Sequence, residues 1–292
     1  MFKADRWTDY ELIDSAGGEK LERWGKYILR RPDPQAVWTD KSGGMWEKAA
    51  AVYHRSNSGG GHWEYISRLP ERWQICYNSL TFNIKPMSFK HTGLFPEQAA
   101  NWDWFGELIR TSQRPVRVLN LFAYTGGATV AALAAGAAVT HVDAAKGMVA
   151  WAKENVNSSG YTDAQIRYIV DDVIKFVARE QRRGKTYDAV IMDPPSYGRG
   201  PSGEVWKIEN ELYPLVCECV KILSDKPLFF LINSYTTGLS ASVLENILSL
   251  TVKKKFGGRV TADEVGIPMS AKSGLCLPCG ISGRWQADAN KR

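Results

Sequence analysis

The chain has 292 residues, 44% hydrophobic and 23% charged, with 37 Lys and Arg against 31 Asp and Glu. That much apolar material offsets chain entropy and excludes a disordered protein, and no apolar run nears the roughly 20 residues of a membrane span. The formal charge of +6 suits an acidic partner, but it is dispersed and forms no basic tail.

Eight of the 11 tryptophans (Trp7, Trp24, Trp38, Trp46, Trp63, Trp73, Trp102 and Trp104) precede residue 105. The same stretch reads as short alternating pieces, Tyr27–Arg30, Trp63–Ile66, Trp73–Tyr77 and Leu80–Ile84, separated by turns such as Arg31-Pro32-Asp33-Pro34 and Ser58–His62. A small antiparallel β-rich domain over residues 1–90 is expected. Its aromatics read as core, with a base-stacking platform as the alternative. Leu94 to Ser112 then reads as a helix with Pro96 near its first turn and Trp102, Phe105, Leu108 and Ile109 as its apolar stripe.

From Arg114-Pro115 the pattern becomes alternating strand and helix, predicting strands at 116–121, 138–142, 166–170, 187–192 and 228–232. Helices are expected at 128–136, 145–158, 173–183, 212–223 and 240–250, and a last strand pair at 256–262 and 274–283. Repeated βα units imply an α/β fold over 91–292: a doubly wound, mostly parallel Rossmann-like sheet with an antiparallel C-terminal hairpin. Five scattered cysteines (Cys76, Cys217, Cys219, Cys276, Cys279) make no disulfide framework, and Cys276-Leu277-Pro278-Cys279 has no partner pair, so buried thiols and no metal are expected. Met1-Phe2-Lys3-Ala4-Asp5-Arg6 does not open a secretory leader, and a cytoplasmic protein is expected.

Ligands of such a sheet lie beyond the carboxyl ends of its strands. The first strand runs into Phe122-Ala123-Tyr124-Thr125-Gly126-Gly127-Ala128, a glycine turn into a helix that is neither a phosphate loop nor a full dinucleotide fingerprint. Asp143 closes the second strand, Asp171-Asp172 the third, and Asp193-Pro194-Pro195-Ser196-Tyr197 follows the fourth. Singly, each acid reads equally well as a helix N-cap. At three successive strand ends they point to an adenosine without a pyrophosphate, its ribose hydroxyls on Asp143 and its adenine amino group at Asp171-Asp172.

The turn Asn120–Gly127, Asp143 with Ala150–Asn157 after it, Asp171-Asp172-Val173 and Asp193-Pro194-Pro195 together resemble class I S-adenosylmethionine-dependent methyltransferases. Within these they resemble the branch that methylates bases of large-subunit ribosomal RNA, to 5-methylcytosine or N7-methylguanine. Thr92–Gln98 is similar to that branch's segment entering the catalytic domain and Gly274–Gly280 to its final hairpin. The resemblance implies S-adenosylmethionine as cofactor, with Asn120, Phe122, Ala123, Tyr124, Thr125 and Gly126 in its binding turn. Phe122 to Gly127 would wrap the methionine part, Asp143 would hold the ribose, and Asp172 with Asp171 beside it the adenine edge. Asp193, Pro194, Pro195, Ser196 and Tyr197 would form the floor where the methyl group meets its acceptor, with Tyr197 stacking on a flipped base.

Two features depart from the family pattern. Ser196 stands between the prolines and the aromatic residue, where enzymes that methylate exocyclic amines place the aromatic directly. The segment after the fifth strand, Leu231–Thr237, has no thiol, so the cysteine attack that cytosine-C5 chemistry needs is disfavoured. Asn233, Ser234 and Tyr235 are candidates to contact the acceptor. RNA is the implied substrate and partner, with Lys253-Lys254-Lys255 and Arg182-Arg183-Gly184-Lys185 as phosphate contacts or solvated turns, no membrane, and a homodimer left open. Methylation of a protein side chain or small metabolite, and a cofactor-binding module without turnover, remain the alternatives.

Overall fold

A computed structural model describes residues 1–56, 60–199 and 205–288; Ser58 and Gly59 of the expected turn lie outside the described residues. The chain divides into two compact units, one of Phe2–Ala100 with Val265–Cys279, the other of Asn101–Glu264 with the chain from Gly280 onward and Met1.

In the N-terminal unit, β1 (Phe2–Lys3) pairs with Val265 and Gly266. Strands β2 (Tyr10–Ala16), β3 (Glu19–Trp24), β4 (Tyr27–Pro32), β5 (Ala51–Arg55) and β6 (Gly61–Tyr65) form one sheet in that order. β7 (Trp73–Tyr77) and β8 (Leu80–Ile84) form a separate hairpin. The expected all-antiparallel arrangement is corrected: β4 and β5 run parallel, because residues 33–50 between them supply the long crossover that parallel pairing needs, and β1 runs parallel to the chain at Val265 and Gly266.

The tryptophans of this unit act as structural anchors. Trp24 and Trp46 are buried, while the indoles of Trp7, Trp63 and Trp73 donate to the carbonyls of Pro96, Met87 and Trp24 at 2.9, 2.8 and 3.1 Å. Beneath them Glu22 is fully buried, accepting from Tyr10 at 2.8 Å and from both ends of the Arg31 fork at 2.6 and 2.7 Å. Burial alone would raise its pKa; the charges of Arg31 and Lys20 outweigh burial and hold it at about 2.

In the second unit, α1 (Ala99–Thr111) precedes β9 (Arg117–Leu121), α2 (Gly127–Ala134), β10 (Ala138–Asp143), α3 (Lys146–Ser158), β11 (Ile166–Val170), α4 (Val173–Arg182) and β12 (Ala189–Met192). A short hairpin follows, β13 (Tyr197–Arg199) with β14 (Val205–Lys207), then α5 (Ile208–Lys221), β15 (Phe229–Ser234), α6 (Ala241–Leu248), β16 (Arg259–Pro268) and β17 (Cys276–Gln286). The strand order is β16-β17-β15-β12-β9-β10-β11, parallel from β15 to β11, with β17 antiparallel to β15. The connected ends of β16 and β17 belong to the N-terminal unit.

Strand alternation sends Leu119, Leu121, Val190, Met192, Phe230 and Ile232 into a core with residues of α4, α5 and α6. The opposite face meets α1 and α2: Phe105 stacks on Phe229 at 5.7 Å, and Asn120 reaches Thr129 at 2.9 Å. The sheet is thus covered on both faces, as the doubly wound pattern requires. Several boundaries shift by a few residues, such as α5, expected at 212–223 and found at Ile208–Lys221, and two of the shifts have a local cause. The helix expected from Leu94 begins as a 3-10 turn at Pro96–Gln98, because proline at the first position and the extended Phe95 start the chain late. The last strand pair starts later and runs longer, because a π segment, Ser249–Lys253, carries helical structure on to Phe256. Among the described residues, no helix is long and apolar enough to cross a membrane.

Candidate active site

β9 and β12 are neighbours, and it is between them that the order of connections reverses. Their carboxyl ends therefore bring the glycine turn and the Asp193 loop side by side, joined at the base where Asp193 N–H meets the Leu121 carbonyl at 3.4 Å.

The turn is held in an uncommon backbone shape. Phe122, Tyr124 and Gly126 have φ of 53°, 50° and 82°, a region that costs non-glycine residues of order 1–3 kcal/mol each. Its surroundings fix it. Tyr124 N–H donates to Asp143 Oδ2 at 2.8 Å, Ala123 N–H to the Val142 carbonyl at 3.1 Å, and the Asn155 amide to the Thr125 carbonyl at 2.8 Å. Below the turn, Asn120 donates to the Thr129 hydroxyl, which meets His141 Nδ1 at 2.9 Å, while His141 Nε2 is buried with no partner among the described residues. Asn120 is thus a buried support of the turn, and Ala123 and Thr125 are buried with it.

Burial pushes the His141 imidazole down to about 4 from its usual 6.5. The folded state then refuses a proton that the unfolded state accepts, so stability is fully present above pH 6.5 and is lost as pH falls toward 4. Wild-type protein is expected to lose up to about 3 kcal/mol more across this window than a His141→Asn variant, measured by urea unfolding at stepped pH.

Asp143 ends β10 with both oxygens engaged by backbone, Oδ2 by Tyr124 and Oδ1 by Ala145 N–H at 2.8 Å. Burial raises its pKa even so, and no cation pairs with it among the described residues. A half-buried carboxylate with remaining lone pairs suits neutral hydroxyl donors, and a ribose diol is a matching group. The acids after β11 already have partners: Asp171 pairs with Arg179 and accepts from Asp172 N–H at 2.9 Å, while Asp172 caps α4 by accepting from Lys175 N–H at 2.9 Å. The capping reading holds for Asp172, whatever else it binds.

The Asp193–Tyr197 loop is fastened on several sides. Pro194 is buried, while Pro195, Ser196 and Tyr197 are exposed. Trp206 Nε1 donates to the Pro195 carbonyl at 2.6 Å, Ile208 N–H to the Ser196 carbonyl at 3.1 Å, and the Ser196 and Thr236 hydroxyls lie 2.6 Å apart. Sequence reasoning missed Trp206 and Thr236. An isolated tryptophan between the two prolines and the next helix was the available signal for Trp206.

The end of β15 differs from expectation. Asn233 faces inward, its Oδ1 accepting from Asn101 at 3.1 Å and Ser282 at 2.7 Å, while Arg284 donates to Asn101 at 2.8 Å. This buried network removes Asn233 from the acceptor side; Ser234 is buried as well, and Tyr235 is 37% exposed. Cys217 and Cys219 lie on α5, with Cys219 fully buried and its thiol pushed far up by burial. A groove of about 370 Å³ lies at the opposite, amino ends of β9, β10 and β11, but its Arg117 and Arg167 are ion-paired to the buried Asp188 and Glu180.

The sequence profile of S-adenosylmethionine-dependent methyltransferases matches residues 32–208, more than half the chain. A crystal structure of a SAM-dependent methyltransferase from Agrobacterium tumefaciens is 37% identical, with 98% of this chain and 93% of that one covered at a TM-score of 0.92. Among curated relatives, a Syntrophotalea carbinolica protein named ribosomal RNA large subunit methyltransferase K/L is 26% identical over 210 residues, 69% of this chain and 28% of its own length. Ribosomal RNA large subunit methyltransferase K of Neisseria meningitidis is 25% identical over 239 residues, 78% of this chain and 65% of its own length. The matches thus span 28% and 65% of these relatives' lengths. With the glycine turn, Asp143 and the Asp193–Tyr197 loop gathered near the point where the strand order reverses, the chain belongs to the S-adenosylmethionine-dependent methyltransferase family.

Proposed function

We propose that the protein methylates a base of ribosomal RNA without covalent attack by a cysteine. The observation that carries this reading is the Asp193–Tyr197 loop fastened beside the cofactor turn, in a chain whose curated relatives are named large-subunit ribosomal RNA methyltransferases. Bound S-adenosylmethionine supplies a methyl group already activated by its sulfonium. The protein's own work is alignment and exclusion of water.

In this reading Phe122, Ala123, Tyr124, Thr125 and Gly126 enclose the methionine part, Asp143 accepts from the ribose hydroxyls, and Asp171 and Asp172 stand at the adenine edge. Asp193, Pro194, Pro195 and Ser196 form the floor for the acceptor base, and the half-exposed Tyr197 stacks on it once it leaves its helix. The lack of a thiol in the segment Leu231–Thr237, together with the burial of Cys219, favours an acceptor that is itself nucleophilic over cytosine C5. The N-terminal β-rich domain, residues 1–90, recognises the substrate or acts as a cap, and an RNA substrate of this kind fits a cytoplasmic protein.

The test is transfer of labelled methyl from S-adenosylmethionine to RNA, protein and metabolite pools extracted from cells lacking the gene. Label is expected in ribosomal RNA, with affinity for that RNA falling as salt rises. Label confined to protein or metabolites would move the substrate to that class, and cofactor binding without transfer to any pool would make the chain a binding module.

A further inference from the structure

Trp206 bridges the two halves of the site. Its ring packs against Phe122 with centroids 5.1 Å apart, while its Nε1–H holds the Pro195 carbonyl at 2.6 Å. Phe122 is the first residue of the cofactor turn and is held at φ 53°. Pro195 is the third residue of the acceptor loop, and the two loops leave adjacent parallel strands. At their base, Asp193 N–H meets the Leu121 carbonyl. Farther out, the Trp206 side chain reaches both.

We infer that Trp206 is a positioning residue for methyl transfer, locking the acceptor loop to the cofactor turn so that methyl donor and acceptor stay in line. The inference rests on the proposed methyl transfer and adds a residue that neither the family resemblance nor the sequence pattern singled out. Two parts of the side chain have separable tasks. The ring supports Phe122 in its left-handed conformation, and so supports cofactor binding. The N–H sets the Pro195 carbonyl, and so sets where the acceptor base rests relative to the sulfonium. A misplacement of about 1 Å at a reacting centre can lower the rate by about a hundredfold, so a side chain outside the reaction can govern it.

The test compares Trp206→Phe, which keeps a ring and loses the N–H, with Trp206→Ala, which loses both. Trp206→Phe is expected to bind S-adenosylhomocysteine within about threefold of wild type by calorimetry, to melt normally, and to lower kcat at saturating cofactor and RNA about tenfold. Trp206→Ala is expected to weaken S-adenosylhomocysteine about tenfold as well. A spectroscopic arm needs no acceptor. In protein labelled with 5-fluorotryptophan, the 19F resonance missing from Trp206→Phe should shift when S-adenosylhomocysteine binds, because the ligand seats against the turn that Phe122 shares with the indole. A wild-type kcat for Trp206→Phe, or a resonance that the ligand leaves unmoved, overturns the inference. Should the wild-type protein methylate no RNA, the substrate reading fails by itself, and the resonance still decides the role of Trp206.

Discussion

Asp143→Ala is expected to weaken S-adenosylhomocysteine binding by two to four orders of magnitude in calorimetry while leaving the fold intact. The carboxylate would accept from two ribose hydroxyls, and hydrogen bonds to a charged acceptor contribute about 1.5–3 kcal/mol each. Removing it also releases Tyr124 and Ala145 N–H, so the turn loses the partner that defines its shape. Stability should change little, because two effects oppose. Two backbone bonds are lost, but a carboxylate that burial disfavours at neutral pH is also removed. Asp143→Asn separates charge from shape: it keeps one acceptor oxygen, and should bind more weakly than wild type but more tightly than Asp143→Ala. Normal affinity in Asp143→Ala would place the ribose elsewhere.

Gly126→Ala is expected to be the most damaging single methyl in the site. A Cβ at this position would stand 2.8 Å from Ala152 Cβ and 3.3 Å from Ala152 Cα, the latter a backbone atom that cannot rotate away. The position also has φ 82°, which disfavours any side chain by about 1–2 kcal/mol. Overpacking adds about 1–3 kcal/mol, so a total loss of about 2–5 kcal/mol in urea unfolding is expected. The two contributions can be separated. Ala152→Gly in the same chain removes the 2.8 Å contact with Cβ but not the one with Cα, and should recover part of the overpacking loss, less about 1 kcal/mol for glycine within a helix, while the backbone part persists. Cofactor affinity should stay low in the double variant, since α2 begins at this turn and its N–H groups keep the altered direction. Equal stability of Gly126→Ala and wild type would show that α2 and α3 are less closely packed than described.

Much of this site could be read from residue order. Strand ends are where a parallel sheet binds its ligand, so an acid directly after an apolar run carries positional meaning without coordinates. That is why Asp143, Asp171-Asp172 and Asp193 could be placed at the ends of β10, β11 and β12 in advance. Sequence does not tell which way a polar residue at a strand end points. Asn233 ends β15 beside Ser234, yet pleat parity turns it into the Asn101–Ser282–Arg284 network, whose partners lie 132 and 181 residues apart for Asn101 alone. Trp206 escaped for a related reason. Its approach to Phe122 and Pro195 depends on the β13–β14 hairpin, and three-residue strands leave too little alternation to detect. The parallel pairing of β4 with β5 was equally hidden, since it depends on the path of residues 33–50 and not on the composition of either strand.

The central claim, methyl transfer to a ribosomal RNA base from this cofactor turn, is tested most directly by nucleoside mass spectrometry of ribosomal RNA. RNA from cells lacking the gene would be compared with RNA from the same cells carrying either the wild-type or the Asp143→Ala gene. One methylated nucleoside is expected to disappear on deletion, to return with the wild-type gene and to stay absent with Asp143→Ala. Ribosomal RNA modifications that are identical in all three strains, while purified wild-type protein binds S-adenosylhomocysteine, would contradict the claim.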